Sequence, residues 1–301
     1  MKFKLGHKTY KKIYRFNEKC GIQKVINLIS DECYLKLIYR LQLGKKLNIK
    51  NPVTYNEKLQ WLKLHDRNPA YTDLADKYEV RKYVESRIGQ DYLIPIFGVW
   101  DSFAEVDFSK LPEQFVLKCT HDSGGILVCK SKRKFDYKAA KRKMNALLKN
   151  NYYNYLREWP YKHIKPRIMA EKFITDNSGL DKQQLMDYKF FCFDGKPEII
   201  MIAKDRFGIT KCNFYDMEFN LLNLRIGNPN FIERIGKPKN YNKMIDIVRK
   251  LSEGFKHIRV DLYNIDGKIY FGELTFYHWG GISLIEPIEW DTKIGKLLRL
   301  K

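Results

Sequence analysis

Four residues toward the C-terminal end, Arg259, Asp261, Glu273 and Thr275, have the types and spacing of a metal site. They lie in two alternating runs joined at Asp266-Gly267. Because Ile258, Val260 and Leu262 alternate with Arg259, Asp261 and Tyr263, a strand here puts its apolar set on one face and Arg259 with Asp261 on the other. Glu273 and Thr275 likewise share a face, and the turn decides whether the two faces coincide. A two-residue Asp-Gly loop pairs Asp261 with Gly272 and sends Glu273 to the opposite side. A three-residue loop from Ile265 to Gly267, with the glycine left-handed as a bulge, brings all four together. Magnesium commonly takes one or two carboxylates plus the phosphate oxygens of a nucleotide, so metal chemistry predicts the bulged loop. The plain alternative is a solvated hairpin with its charges on the wet face.

Other pieces upstream could serve a nucleotide. The run from Phe115 to Val128 reads as strand, small-residue loop and strand. In the loop, Gly124 and Gly125 let backbone N–H groups approach phosphate oxygens, while His121 and Ser123 can donate further hydrogen bonds. This is not a Walker A loop, because Lys118 precedes the glycines; an ordinary hairpin turn is the alternative. Lys118 sits at the inner end of an apolar strand, where a lysine either snorkels or meets an anion, and Lys189 poses the same choice. The strand Glu171, Lys172, Phe173, Ile174 could offer its backbone to the edge of a purine, or be plain core. Arg206, Lys211 and Arg225 add cations for which a solvated face is the default.

These residues need elements to hold them. The first 65 or so residues read as helical, with Ser30 and Asp31 a candidate cap and Asn51-Pro52 a break. Thr72 is expected to cap a helix from Asp73 to Arg87 ended by Gly89, and another is expected from Asp136 to Leu156. Strands are expected over 94–100, 115–120, 126–129, 168–174, 188–193 and 198–203, with a helix from Tyr241 to Phe255 before the terminal hairpin. Strands joined by hairpins and interrupted by helices imply an α+β architecture with antiparallel sheets.

With 301 residues, 44% hydrophobic and 14% aromatic, the chain can bury a large core despite 30% charged residues. Its 56 Lys plus Arg against 35 Asp plus Glu give a formal charge of +21. Such a field draws anionic partners: nucleic acid, lipid head groups or acidic saccharides. No zinc-finger spacing, ribonucleoprotein motif or basic zipper supports specific nucleic-acid binding. Cys20, Cys33, Cys119, Cys129, Cys192 and Cys212 form no ligand pair or disulfide framework and read as reduced thiols. With no signal-peptide core and no apolar run long enough to span a bilayer, a cytoplasmic protein is expected. The basic, partly apolar segment from Lys8 to Ile38 offers peripheral contact with an anionic membrane as one reading and a docked amphipathic helix as another.

Taken in order, strand lysine, Gly-rich loop, Glu-x-x-Ile hinge, second strand lysine and carboxylate hairpin resemble the ATP-grasp superfamily. The fuller pattern is similar to its TupA-like branch, of teichuronopeptide and capsular polysaccharide biosynthesis. The residues bearing this are 56–64 (NEKLQWLKL), Ala75-Asp76-Lys77 with Val80-Arg81, 115–119 (FVLKC), Asp187-Tyr188-Lys189-Phe190, Phe193-Asp194-Gly195-Lys196, Arg259 to Tyr263 and Phe271 to Tyr277. The resemblance runs from about residue 50 to the C-terminus. It implies an ATP-grasp fold, two α+β subdomains with antiparallel sheets clamping ATP: residues 71–170 with the phosphate lid and 171–301 with the metal hairpin, after a helical region over 1–70. It further implies that Lys118 and Lys189 hold ATP phosphates, that 121–125 closes over them and that 171–174 receives adenine. Asp261 and Glu273 would ligate Mg2+, and Arg259 would stabilise an acyl phosphate and the oxyanion formed on amine attack. Where the superfamily has Glu-x-Asn, this chain has Glu273-Leu-Thr275, so the second metal contact there is a hydroxyl or a water. His278, Trp279, Gly280 and Gly281 shape an acceptor pocket or a core turn.

The implied activity is ATP- and Mg-dependent carboxylate–amine ligation, joining an amine, for example an amino acid, to a uronic acid or other carboxylate of a cell-surface glycan. Three other readings fit parts of the pattern: a metal-dependent glycosyltransferase of the same pathway, an ATP-grasp kinase, and a non-catalytic polyanion-binding protein. A location at the inner face of the membrane, near a lipid-linked glycan, goes with the first.

Overall fold

The computed structural model describes residues 26–175, 185–204 and 210–300. The basic stretch up to Lys24, Cys20 and Arg206 lie outside them. Helix α1 (Asp31–Leu43) begins where Ser30 accepts from the Cys33 amide, and it ends at Gly44, left-handed at φ 68°. Helix α2 (Tyr55–His65) opens with a capping box in which Thr54 and Glu57 satisfy one another's backbone. The single helix expected from Asp73 to Arg87 is two, α3 (Ala70–Ala75) and α4 (Val80–Ile88). Asp76, 1% exposed, makes the break: it accepts from the amides of Tyr78 and Glu79 and from Arg167 and Thr120. A side chain that bonds nearby backbone competes with the helix.

Four antiparallel strands form the first sheet: β1 (Ile96–Trp100), β2 (Phe115–Cys119), β3 (Ile126–Cys129) and β4 (Ile168–Lys172), in the order β1-β4-β2-β3. Helix α5 (Tyr137–Leu148), capped by Asp136, packs Ala140 and Met144 against Phe115, Leu117 and Ala170. The helix expected to reach Leu156 stops here. Asn151 accepts from the Tyr153 amide and starts a separate turn, α6 (Tyr153–Leu156), after which Arg157 is left-handed at φ 54°.

The second sheet contains β5 (Asp187–Phe193), β6 (Lys196–Lys204), β7 (Lys211–Tyr215) and β8 (Leu221–Leu222). After the short β9 (Arg225–Ile226) it gains β10 (His257–Ile265) and β11 (Lys268–Thr275), giving the order β11-β10-β5-β6-β7-β8. Its back is apolar: Tyr188, Phe190, Ile200, Ile202, Ile258, Val260 and Leu262 share a core with Met244, Val248 and Leu251 of α7 (Tyr241–Ser252). Each such side chain contributes about 1.5–3 kcal/mol when fully buried, so a one-residue slip of β5 or β10 would cost on the order of 10 kcal/mol. That fixes which face is left for chemistry. The helical region is not a separate layer, because Tyr55, Leu59 and Leu62 of α2 belong to this same core. Helix α8 (Glu289–Leu297), preceded by β12 (Ile285–Glu286) paired to β9, crosses α2 where Gly295 meets the Val53 backbone.

The terminal hairpin differs from the expectation in one respect. Its loop has two residues, not three: Ile265 pairs with Lys268, and Asp266 and Gly267 are left-handed at φ 50° and 92°. The extra residue is in the strand instead. Leu262 faces Phe271 and Asp261 faces Glu273, leaving Gly272 as a bulge that restores the parity. Among the described residues, no helix is long and apolar enough to cross a membrane, and Cys33, Cys119, Cys129, Cys192 and Cys212 are free thiols.

Candidate functional site

Strand alternation carries Lys189 of β5, Arg259 and Asp261 of β10 and Glu273 and Thr275 of β11 onto the face opposite α7. Arg259, 7% exposed, is the hub. Its Nε and Nη2 donate to the two Asp261 oxygens at 2.7 and 2.8 Å. The same Nη2 reaches Glu273 Oε1 at 3.0 Å and Thr275 Oγ1 at 2.9 Å, while Nη1 donates to His278 Nδ1 at 2.6 Å. Lys189 pairs with Asp261 and lies 3.3 Å from Asp187. Burial acts to lower the pKa of Lys189 and of Arg259, and the surrounding carboxylates outweigh it, so both stay cationic. For Glu273 partial desolvation opposes ionisation, yet Lys189, Arg259 and Lys77 hold its carboxyl below the usual carboxylate range.

The carboxylates of the hairpin are not equivalent. Asp261 is 1% exposed with both oxygens taken by cations, and burial raises its pKa despite them. Glu273, its side chain 42% exposed, opens onto a cavity of about 400 Å³. Thr275 accepts from Arg259 and donates to Glu273 at 3.3 Å, which orients both.

Ser123 and Gly124 of the glycine loop line that same cavity, opposite the sheet residues. Gly124 is left-handed at φ 95°, with open space where a Cβ would stand. The loop is tied down from its N-terminal side: Lys77 donates through Nζ to the Asp122 carbonyl and through its amide to that of Thr120. His121 does not behave as expected for a phosphate donor. It is 3% exposed, its Nε2 bonds the Leu147 carbonyl at the end of α5, and burial lowers its pKa. Gly125 is also buried, and neither residue lines this chamber.

Lys118, Glu171, Lys172, Phe173 and Ile174 line a different cavity, of about 380 Å³, between the two sheets. Its walls are apolar apart from a few groups, with Val116, Ile126 and Val128 from one sheet and Tyr263 from the other. Lys118 forms an ion pair with Glu171, so its charge meets a carboxylate at this wall. The structure thus divides the sequence-derived set: an apolar slot beside the β4 backbone, and a charged chamber above β5, β10 and β11. Lys211 lies in β7, and Arg225 pairs with Glu286 across β9 and β12.

Sequence reasoning missed a second wall of the charged chamber, containing Tyr152, Glu158 and Tyr161. Glu158 is 4% exposed, and Lys63, fully buried on α2, donates to the carbonyls of Leu156 and Gly280 beside it at 3.0 and 2.7 Å. The signal was present as a single acid within the aromatic run from Tyr152 to Tyr161. His278 and Gly280, by contrast, do line the chamber.

The family model for TupA-like ATPgrasp matches residues 57–299. Among solved structures, the chain is similar to D-alanine–D-alanine ligase from Bacillus anthracis, with 16% identity, 77% of this chain and 62% of that one covered, and a TM-score of 0.35. It is similar also to D-alanine–D-alanine ligase from Helicobacter pylori, at 12% identity over 81% and 69% of the two chains with a TM-score of 0.42. The L-amino acid ligase from Bacillus licheniformis matches at 14% identity over 82% and 55%, with a TM-score of 0.43. The chain therefore spans less than two thirds of the length of the first of these. Among curated proteins none matches.

Proposed function

Because the chain belongs to the TupA-like ATP-grasp family, we propose that it is a carboxylate–amine ligase that activates a carboxylate as acyl phosphate and transfers it to an amine. ATP and Mg2+ are its cofactors, as for ATP-grasp enzymes generally. The donor set fits both groups. Glu273 presents an ionised carboxylate to the chamber beside Asp261, which suits a hard cation that completes its shell with phosphate oxygens. The apolar slot at Lys172 to Ile174 suits a purine. Bound there, the metal and nucleotide supply charge neutralisation and the phosphoryl group.

The observation that carries the reading is the gathering of Lys189, Arg259 and Glu273 under the Ser123-Gly124 loop in one chamber. Phosphoryl transfer to a carboxylate needs cations and alignment more than acid–base chemistry. We assign Lys118 and Lys189 to ATP phosphates, the loop 121–125 to the lid through Ser123, Gly124 and its backbone, and 171–174 to adenine. Asp261 and Glu273 are assigned to magnesium, with Thr275 orienting Glu273, and Arg259 to the acyl phosphate. Residues 71–170 and 171–301 are the proposed clamping subdomains. A formal charge of +21 supports an acidic acceptor, here a uronic acid or other carboxylate of a cell-surface polysaccharide, handled in the cytoplasm at the inner membrane face.

The test is ADP and phosphate release from MgATP with acidic saccharides, with and without a panel of amines. Turnover requiring both, and lost in Lys118→Ala and Glu273→Ala, supports the ligase. A stable phosphoester formed without amine would indicate a kinase, and turnover indifferent to either substitution would sink the proposal.

A further inference from the structure

The charged chamber has two walls. The sheet wall carries Lys189 and Arg259 with the carboxylates of Asp187 and Glu273 beside them; the facing wall, from the chain after α5 and after β11, carries Glu158 among Tyr152, Tyr161 and Tyr277. Glu158 is held there by backbone design. Left-handed Arg157 turns the other way, its guanidinium 4.3 Å over the Tyr34 ring and 3.4 Å from Asp31. Gly280, at φ 60°, leaves room for the acid: a Cβ there would stand 3.3 Å from Glu158 Oε1 and 2.3 Å from Leu156 Cδ1. Lys63 clamps the two segments together through their carbonyls. Lys63 lies 5.7 Å over the Tyr277 ring, which leaves Tyr152 and Tyr161 as the aromatic side chains beside Glu158 in the chamber; a carboxylate with aromatic neighbours is the chemistry that recognises an ammonium group, since ring quadrupoles and the carboxylate both favour a cation.

We propose that Glu158, with the rings of Tyr152 and Tyr161, forms the subsite for the protonated amine substrate and accepts its proton. This rests on the ligase reading above. The groups that face Glu158 are Lys63 on α2, Arg259 on β10, Glu273 on β11 and the three phenols. Burial, reinforced by Glu273 and opposed by Lys63 and Arg259, pushes the carboxyl up to about 7, where a base works at neutral pH. The ammonium gives one proton to the Glu158 carboxylate. The freed nitrogen lone pair attacks the acyl carbon, a C–N bond forms, and the C–O bond to phosphate breaks with its electron pair leaving on phosphate. The second nitrogen proton goes to that departing phosphate, leaving a neutral amide.

The experiment uses the full chain with MgATP and glucuronate, galacturonate or their oligomers. The nucleophile is either a common amino acid or ethanolamine, or hydroxylamine, which is largely uncharged at neutral pH and needs no base. Glu158→Gln should lower transfer to the cationic amines by about 100-fold or more and flatten its rise with pH, while hydroxamate formation stays near wild type. Tyr161→Leu, which removes one ring and no charge, should raise the KM for amine by roughly 5–10-fold with hydroxamate formation unchanged. Equal losses in both channels would overturn the assignment and leave the ligase standing. Absence of hydroxamate from the wild type with every carboxylate would remove the ligase reading and this subsite with it.

Discussion

Burying an acid in the amine wall has an energetic signature that requires no substrate. The Glu158 carboxyl is shifted from 4.5 to about 7. A raised acid pKa means that the native state keeps its proton to higher pH than the unfolded chain, so between pH 4.5 and 7 the native state binds more protons and stability falls as pH rises. At about 1.4 kcal/mol per unit, the ceiling of that loss is about 3 kcal/mol. Replacing Glu158 by Gln keeps the shape and removes the titration. Lys63, whose own pKa burial lowers to about 8, then loses an attractive neighbour and takes back part of the gain. Glu158→Gln should therefore match wild type below pH 4.5 and be more stable by about 1–2 kcal/mol above pH 7, a few degrees in Tm. Urea melts across that range measure it. A stability difference that stays flat with pH, or a variant that loses stability as pH rises, would refute the burial and ionisation ascribed to Glu158.

Gly280→Ala should destabilise by about 2 kcal/mol or more in denaturant melts, because its Cβ would overlap Leu156 Cδ1 at 2.3 Å from a left-handed backbone. Gly295→Ala should cost about 2–3 kcal/mol by the same measurement, since its Cβ would stand 2.3 Å from the Val53 carbonyl, which is backbone and yields little. Arg259→Lys keeps a charge but loses the two-pronged hold on Asp261 and the link to His278. ATP turnover should fall at least about 100-fold, while Tm drops by only a few degrees, and unchanged turnover would remove Arg259 from the chemistry. Glu273 is held ionised below the usual carboxylate range, so its contribution to stability should be complete above pH 4.5 and fade as pH falls below it; in Arg259→Met the contribution should be smaller and its loss complete nearer pH 4.5, as urea melts across that range would show.

Much of the charged sheet face could be read from alternation, because Ile258, Val260 and Leu262 of β10 make an apolar side that packs with Met244, Val248 and Leu251 of α7. The parity of the hairpin was expected from metal chemistry, but at another residue: the expectation put the extra residue in a three-residue loop, Ile265–Gly267, while the bulge is at Gly272. Helix breaks were the hidden part. Residues 136–149 have good helix propensity, but the Asn and Tyr run from 150 to 155 does not, and the side chain of Asn151 bonding the Tyr153 amide turns the chain there. Continuing that helix on paper hid Tyr152 and Glu158 from the site. Asp76 did the same to the stretch 70–88. His121 illustrates the opposite failure, in which a polar residue beside a glycine loop is spent on a helix carbonyl.

The Gly272 bulge separates two jobs that a hairpin usually performs together. Facing of Asp261 toward Glu273 is decided five residues away from the turn, so any two-residue connector that reverses the chain at Asp266-Gly267 leaves the carboxylate pair intact, and one residue added to or removed from the turn flips it. Chains of this kind can be scanned with a counting rule: an aspartate and glutamate spaced for the wrong face by a tight turn become a matched pair when a glycine immediately precedes the glutamate. The flexible residue acts as a phase shifter, and its Cβ-free contact with the Asp261 carbonyl, 3.0 Å from where a methyl would sit, leaves little room for another side chain there.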